Sequence, residues 1–111
     1  MTWLGAFLLT QAIELPIYVR GTRHADLSVP WRLVIGFGAS AVTHPVVWFV
    51  LRDRLSPLVG FPVIFGIAET FAVVGEALYL RAFGVPRPWG LSLLANATSA
   101  SIGLLVGWLQ R

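Results

Sequence analysis

The chain has no cysteine and no lysine among its 111 residues. Without cysteine it can form no disulfide, thiolate metal site or cysteine nucleophile. Charge is also scarce, because charged residues make up 12% of the chain and hydrophobic residues 57%. An ordinary soluble domain carries about 25% charged residues. The excess apolar surface is therefore expected to face lipid.

Motifs of common enzymes and nucleic-acid-binding proteins are absent as well. The sequence contains no Gly-rich phosphate loop, serine-nucleophile motif, Glu-x-x-His or His-Glu-x-x-His. Its net charge of +3 comes from arginines that lie between apolar runs. Because these arginines do not cluster on one face or tail, binding to nucleic acid is rejected. A non-enzymatic function is favoured over an enzymatic one, and no cofactor is identified.

Four apolar runs are long enough to cross a hydrocarbon layer roughly 30 Å thick, which takes about 18 or more residues. They cover about residues 2–19, 31–51, 58–80 and 89–109. The short loops between the runs force neighbouring helices to be antiparallel. The predicted fold class is an all-α membrane protein, an up-down-up-down bundle of four transmembrane helices in one domain over residues 1–111.

The distribution of arginine predicts an orientation. Five arginines flank loops one and three and three lie on the opposite side; the first group is Arg20, Arg23, Arg32, Arg81 and Arg87, and the second is Arg52, Arg54 and Arg111. The positive-inside rule then places loops one and three on the cytoplasmic side, in a cell (inner) membrane. The reverse orientation and insertion in both orientations stay open alternatives.

The two helical hairpins share a sequence pattern. Residues 14–21, Glu-Leu-Pro-Ile-Tyr-Val-Arg-Gly, resemble residues 76–84, Glu-Ala-Leu-Tyr-Leu-Arg-Ala-Phe-Gly, with one residue fewer between the acid and the tyrosine. Residues 39–43 parallel residues 95–99 in the same way. Two repeated hairpins related by an axis along the membrane normal would explain this pattern. Chance similarity between hairpins of like composition is the alternative.

Ionisable side chains lie inside the predicted spans, where each costs on the order of 2.5 to 3.5 kcal/mol at the helix centre. They are Glu14, His44, Glu69 and Glu76. Helical spacing puts polar residues on one face of the first span and on one face of the third. These stripes comprise Gln11, Glu14 and Tyr18 in the first span, and Glu69, Ala72, Glu76 and Tyr79 in the third.

The rise of a helix gives the depth of each group below the side of loops one and three. At about 1.5 Å per residue, Glu76, Glu14 and Asn96 lie roughly 6 to 10 Å deep, and Glu69 and His44 roughly 17 to 20 Å. We expect these five residues to bind an ion or a proton. The expected supporting residues are Gln11, Tyr18, Thr43, Tyr79 and Ser99.

Structural roles compete with this interpretation. Glu14 and Glu76 could bond to tyrosines or to Asn96 and only lock the bundle, and His44 could be a packing residue. In the fourth span, small residues recur every fourth position and permit close approach of another helix. They are Ala95, Ser99, Gly103 and Gly107.

The favoured function is a proton- or cation-linked transporter or channel component. It would act as a homo-oligomer, because four spans are few for transport. The first alternative is a non-catalytic subunit of a larger membrane complex, which leaves the ionisable groups unexplained. The second and less favoured alternative is a membrane metalloenzyme, although the two depth levels would then have to converge on one metal. The expected partners are the lipid bilayer and either further copies or other membrane subunits.

Overall fold

The computed structural model describes residues 2–110 and shows an all-helical protein. Its elements in chain order are α1 (Trp3–Gly21), α2 (Val29–Val46), a π-helical segment (Val47–Arg52), α3 (Asp53–Leu55), α4 (Phe61–Ala82) and α5 (Pro88–Leu109). No β-strand occurs within residues 2–110. The predicted all-α class is thus confirmed. Arg111, which entered the predicted orientation, lies outside the described residues.

Three helices are long and apolar enough to cross a membrane by length and composition. They are the continuous helix Val29–Leu55, Phe61–Ala82 and Pro88–Leu109. They correspond to the predicted second, third and fourth spans. The 19-residue α1 is not among them, because Gln11, Glu14 and Arg20 lower its mean hydropathy. The predicted first span, and with it the four-span bundle, stays a prediction.

Local sequence explains where the long helices begin. Thr2 caps α1, since its hydroxyl accepts a hydrogen bond from the Gly5 N–H at 3.0 Å. A proline stands in the first turn of α2, α4 and α5, where its missing N–H removes no helical bond. The third long helix begins at Phe61 and not near residue 58 as predicted, because Gly60 is still extended (φ −77°, ψ 169°).

The second long helix extends past its predicted end at residue 51. After Pro45 it changes to a π-helical segment and then finishes as α3 at Leu55. Proline removes one N–H from the helical ladder, and π-helical turns are rare features that often occur at functional sites. The segment carries Val47 and Trp48 toward the interior, on the same side as Thr43 and His44.

The four long helices pack in a ring. Helix α1 contacts α2 and α5, and α4 contacts the same two helices. Glycine sets two of these separations. A Cβ atom on Gly36 would lie 3.1 Å from the Cβ of Tyr18 in α1, and one on Gly75 would lie 3.2 Å from the Thr43 methyl group. A larger residue at either position would push the neighbouring helix outward.

The exterior of the ring is apolar, and its interior contains both apolar and polar side chains. Large apolar side chains are exposed on the outside of the ring, among them Leu8, Phe37, Val63, Leu94 and Leu105. Several buried residues are polar or ionisable, namely Gln11, Glu14, Thr22, Ser40, Thr43, Glu76, Ser92 and Asn96. An apolar exterior of this extent is typical of a surface that contacts membrane.

Candidate functional site

A cavity of about 290 Å³ lies among the four long helices. It is lined by all five residues predicted to bind an ion or a proton, which are Glu14, His44, Glu69, Glu76 and Asn96. These residues come from α1, α2, α4 and α5, so the packing of the ring brings them together. Their binding of an ion or a proton stays a prediction.

Glu14 ties α1 to both of its neighbours. Its side chain is 2% exposed, and both carboxyl oxygens accept hydrogen bonds. Ser40 Oγ of α2 donates to Oε1 at 2.7 Å. Ser99 Oγ of α5 donates to Oε2. The acid therefore joins three helices through hydroxyl groups.

Glu76 does the same from α4. It is 1% exposed, and its Oε1 accepts a hydrogen bond from the Tyr18 hydroxyl at 2.6 Å. Its Oε2 accepts one from Thr43 Oγ1 at 2.9 Å. The Glu14 and Glu76 carboxyl groups both line the cavity. The carboxyl network consists of Glu14, Tyr18, Ser40, Thr43, Glu76 and Ser99.

Sequence reasoning identified most of this network but missed Ser40. Ser40 lies three residues before Thr43, which puts both on the same face of α2. That spacing could have identified it. Ser92 was missed too: its hydroxyl donates to the Val73 carbonyl of α4 at 2.7 Å. Asn96 donates to the Ser92 carbonyl at 2.9 Å within its own helix, so it lines the cavity without bonding to either acid.

Two predicted supporting residues lie away from the cavity. Gln11 is 6% exposed and donates to the Phe37 carbonyl at 3.0 Å. Its Oε1 is buried and has no partner among residues 2–110. The Tyr79 hydroxyl abuts Gly38 of α2. Tyr79 follows Glu76 by three residues, whereas Tyr18 follows Glu14 by four. Measured from the acid of its own helix, the direction of the Tyr79 ring therefore differs from that of Tyr18 by about 100°.

Glu69 and His44 lie toward the opposite end of the cavity. At about 1.5 Å per residue, Glu69 is about 10 Å along α4 from Glu76. All the side-chain hydrogen bonds that glutamates accept within residues 2–110 go to Glu14 and Glu76, so Glu69 accepts none. The His44 ring packs among Trp3, Phe7 and Trp48, with centroids 6.3, 5.5 and 6.2 Å away, and its Nδ1 is buried without a partner in the described chain.

Apolar side chains line the cavity beyond Glu69. Phe61 and Phe65 of α4 are there, with ring centroids 5.8 Å apart. Trp48 and Leu104 complete this region, and Trp48 also carries the Arg52 guanidinium 4.4 Å from its ring centroid. The aromatic end is defined by Trp48, Phe61 and Phe65. The cavity thus joins a polar end to an apolar one.

The lining positions recur at constant intervals. On α2 and the following π-helical segment they are residues 40, 43, 44, 47 and 48, and on α5 they are residues 96, 99, 100, 103 and 104, which is an interval of 56 at every position. On α1 and α4 an interval of 62 relates residues 10 and 14 to residues 72 and 76, while residues 6, 9, 61, 65 and 69 have no lining counterpart. The bonds Ser99 to Glu14 and Thr43 to Glu76 are equivalent under these intervals.

The predicted packing stripe of α5 is only partly occupied by this chain. Ala95 is 0% exposed, and Ser99 bonds to Glu14. Gly103 lines the cavity, and Gly107 is exposed. A Cβ atom at either glycine would meet nothing within 4 Å. The second half of the stripe is therefore open.

Two further observations bear on function. No group of three or more histidine, aspartate or glutamate side chains that could hold a metal ion is found in the part of the chain that the structure describes, which gives the metalloenzyme alternative no support. Comparison with protein-family models, with curated proteins and with solved structures found no match to this chain. The cavity is therefore the main indication of function.

Proposed function

We propose that all four long helices span a membrane, with α1 as the fourth span. Helix α1 lies against α2 and α5, which are both span candidates by length and composition. It buries Gln11, Glu14 and Tyr18 in the ring and exposes Leu4 and Leu8 outside. Most of the polarity that lowers its mean hydropathy therefore faces the interior. The surface that α1 would present to lipid is apolar.

In this proposal the two hairpins are parallel repeats around an axis along the membrane normal. The constant intervals along the cavity wall support the repeat. So do the crossed bonds, in which each hairpin supplies a hydroxyl to the acid of the other. The bundle runs up-down-up-down, and the excess of arginine puts loops one and three on the cytoplasmic side of a cell (inner) membrane.

The proposed function is binding of a proton or cation in the cavity, as a transporter or channel component. The observation that carries it is the lining: three acids and one histidine surround the cavity, and none of the lining residues is an arginine. Acids gathered away from water repel one another unless a proton or cation joins them. Ionisable groups inside membrane proteins commonly mark ion pathways and proton relays.

The open half of the α5 stripe supports an oligomer. Gly107 is exposed and leaves room for a close helix neighbour that this chain does not supply, whereas Gly103 faces the cavity. Small residues four apart favour such contacts between membrane helices. A second copy of this chain would give the larger assembly that transport by short chains needs. Another membrane subunit would fit the same stripe, and this is the second candidate function, a non-catalytic component of a larger complex.

Flux measurements test the proposal. Purified protein in liposomes is expected to carry protons or monovalent cations, followed with an entrapped pH-sensitive dye and with ion-selective dyes. Glu69→Gln and Glu14→Gln should each lower the flux at least tenfold. Asp26→Asn and Asp53→Asn are matched controls, since both acids are exposed on loops or helix ends away from the cavity. Equal fluxes from the wild type, both variants and empty liposomes would reject transport and favour the subunit function.

A further inference from the structure

The carboxyl network is complete without a ligand. Glu14 and Glu76 together have four carboxyl oxygens, and each one accepts a hydrogen bond from a protein hydroxyl. A ligand that took any of these oxygens would compete with a donor already in place. Glu69 lines the same cavity and accepts none of those bonds. It is the acid best placed to accept a hydrogen bond from a ligand.

The intervals between the hairpins also single out Glu69. At an interval of 62, Glu69 corresponds to Phe7, and at an interval of 56, His44 corresponds to Ala100. At each of these two places one hairpin has an apolar residue and the other has an ionisable one. An acid in a membrane helix costs free energy that phenylalanine does not. Packing alone does not explain Glu69.

The surroundings of Glu69 point to a ligand with an apolar part. Phe65 and Phe61 lie one and two turns along the same face of α4. The cavity, at about 290 Å³, exceeds the roughly 30 Å³ share of one water molecule about tenfold. A proton needs no such space, and small inorganic cations prefer oxygen ligands over aromatic walls. Organic ligands occupy sites that combine apolar walls with a few placed polar groups.

The available aromatic faces fit a cation. Trp48 stacks with His44 and also carries the Arg52 guanidinium 4.4 Å from its ring centroid, so a cation is held against an aromatic ring beside this cavity. The rings of Phe61 and Phe65 carry no such partner among the described cations. A ring face attracts an ammonium group by about 0.5 to 2 kcal/mol, more when the group is desolvated.

We propose that the cavity binds a monovalent organic ammonium cation, with its charged group at Glu69 and its apolar group against Phe61 and Phe65. One carboxylate without a protein donor matches one positive charge. This inference rests on the proposed cation-binding function and specifies the ligand class. In this proposal the carboxyl network holds the helices together around the ligand.

Calorimetric titration of the purified protein in nonionic detergent tests the proposal with three probes: phenethylammonium, ammonium and sodium chlorides. Phenethylammonium is expected to bind saturably, one per chain, after subtraction of empty micelles. Glu69→Gln should weaken it at least tenfold. Phe65→Leu should weaken it about three- to tenfold and leave ammonium unchanged, because the small ion has no apolar group. Asp53→Asn and Phe71→Leu are the matched controls, since both side chains are exposed outside the cavity.

The outcomes separate this inference from the proposed function. Glu69-dependent flux of protons or sodium together with no phenethylammonium binding would overturn the ligand class and leave the function standing. Binding that is equal in the wild type and Glu69→Gln would overturn it as well. If neither flux nor binding of any probe depends on Glu69, both proposals fail. Loss of binding in Phe65→Leu with unchanged helical circular dichroism would support the inference independently of Glu69.

Discussion

The α1–α2 hairpin and the α4–α5 hairpin are alike at one end of the cavity and different at the other. At the carboxyl network each contributes one acid, and Thr43 and Ser99 each bond to the acid of the other hairpin; the first hairpin adds the Tyr18 hydroxyl, which also bonds to Glu76. Toward the aromatic end, Phe7 and His44 of the first hairpin correspond to Glu69 and Ala100 of the second. The shared features are those that join helices. Of the residues that differ, His44, Glu69 and Ala100 line the cavity, where a ligand would meet them.

The largest effect is expected from removing an acid of the carboxyl network. Glu76→Ala would leave the buried Tyr18 hydroxyl without its acceptor, and the Thr43 hydroxyl with only the Ala39 and Ser40 carbonyls of its own helix, each at 3.4 Å. An orphaned buried hydrogen-bonding group costs about 1 to 3 kcal/mol, so a loss of about 2 to 4 kcal/mol in the free energy of unfolding is expected. Denaturant titration in detergent micelles, followed by circular dichroism, measures it.

Asp53→Ala is the control for that variant, because Asp53 is exposed. Exposed substitutions of this kind usually stay within about 0.5 kcal/mol. A loss below 1 kcal/mol for Glu76→Ala would mean that the carboxyl network does not hold the helices. Substitutions at the two ends of the cavity would then have similar effects on the free energy of unfolding.

Removing either of the crossed hydroxyl bonds should lower the free energy of unfolding by less than Glu76→Ala does, and by a similar amount for each bond. Thr43→Val and Ser99→Ala each remove one donor from an acid of the other hairpin, at an expected cost of about 1 kcal/mol each. The double variant should deviate from additivity, because the two acids line one cavity. Unfolding titrations of the two single variants and the double variant give the coupling free energy.

Thr70→Val is the matched control, since the exposed Thr70 hydroxyl donates only to the Gly66 carbonyl of its own helix. Very unequal losses for Thr43→Val and Ser99→Ala would contradict the equivalence of the two hairpins. Strict additivity would show that Glu14 and Glu76 act as separate sites.

Much of the cavity could be predicted because the period of a helix determines which side chains share a face. The spacing of Glu14 and Tyr18, and that of Glu69 and Glu76, identified inward faces whose acids line one cavity. Which hydroxyl bonds to which acid depends on the rotation of neighbouring helices. Periodicity within one helix carries no information on that rotation. The spacing of Ser40 and Thr43 puts them on one face, but it could not show that Ser40 bonds to Glu14.

Features that depend on tertiary packing could not be predicted. The π-helical segment after Pro45 changes the register of the second long helix, and no spacing in the sequence indicates where such a change ends. Tyr79 was predicted to support the acids because it shares a face with Glu76. Gly38 on the facing helix provides a place for its hydroxyl away from the network.

The smallest effect on stability is expected at the aromatic end. Glu69→Gln keeps the size of the side chain. It deprives no protein donor of its acceptor, because the side-chain hydrogen bonds accepted by glutamates within residues 2–110 all go to Glu14 and Glu76. We expect a change within about 0.5 kcal/mol in the free energy of unfolding. Glu14→Gln is the comparison. In the wild type each Glu14 carboxyl oxygen accepts a hydrogen bond from a serine hydroxyl, and in the variant an amide nitrogen would replace one of these acceptors. A loss of about 1 to 2 kcal/mol in the free energy of unfolding is expected.

Unfolding titrations of Glu69→Gln and Glu14→Gln in the same micelles compare the stability losses of the two variants. A stable Glu69→Gln that has lost binding would separate the ligand group from the groups that hold the helices. If Glu69→Gln is instead as destabilised as Glu14→Gln, Glu69 is itself part of the scaffold. The difference between the two hairpins would then be one of packing and not of function.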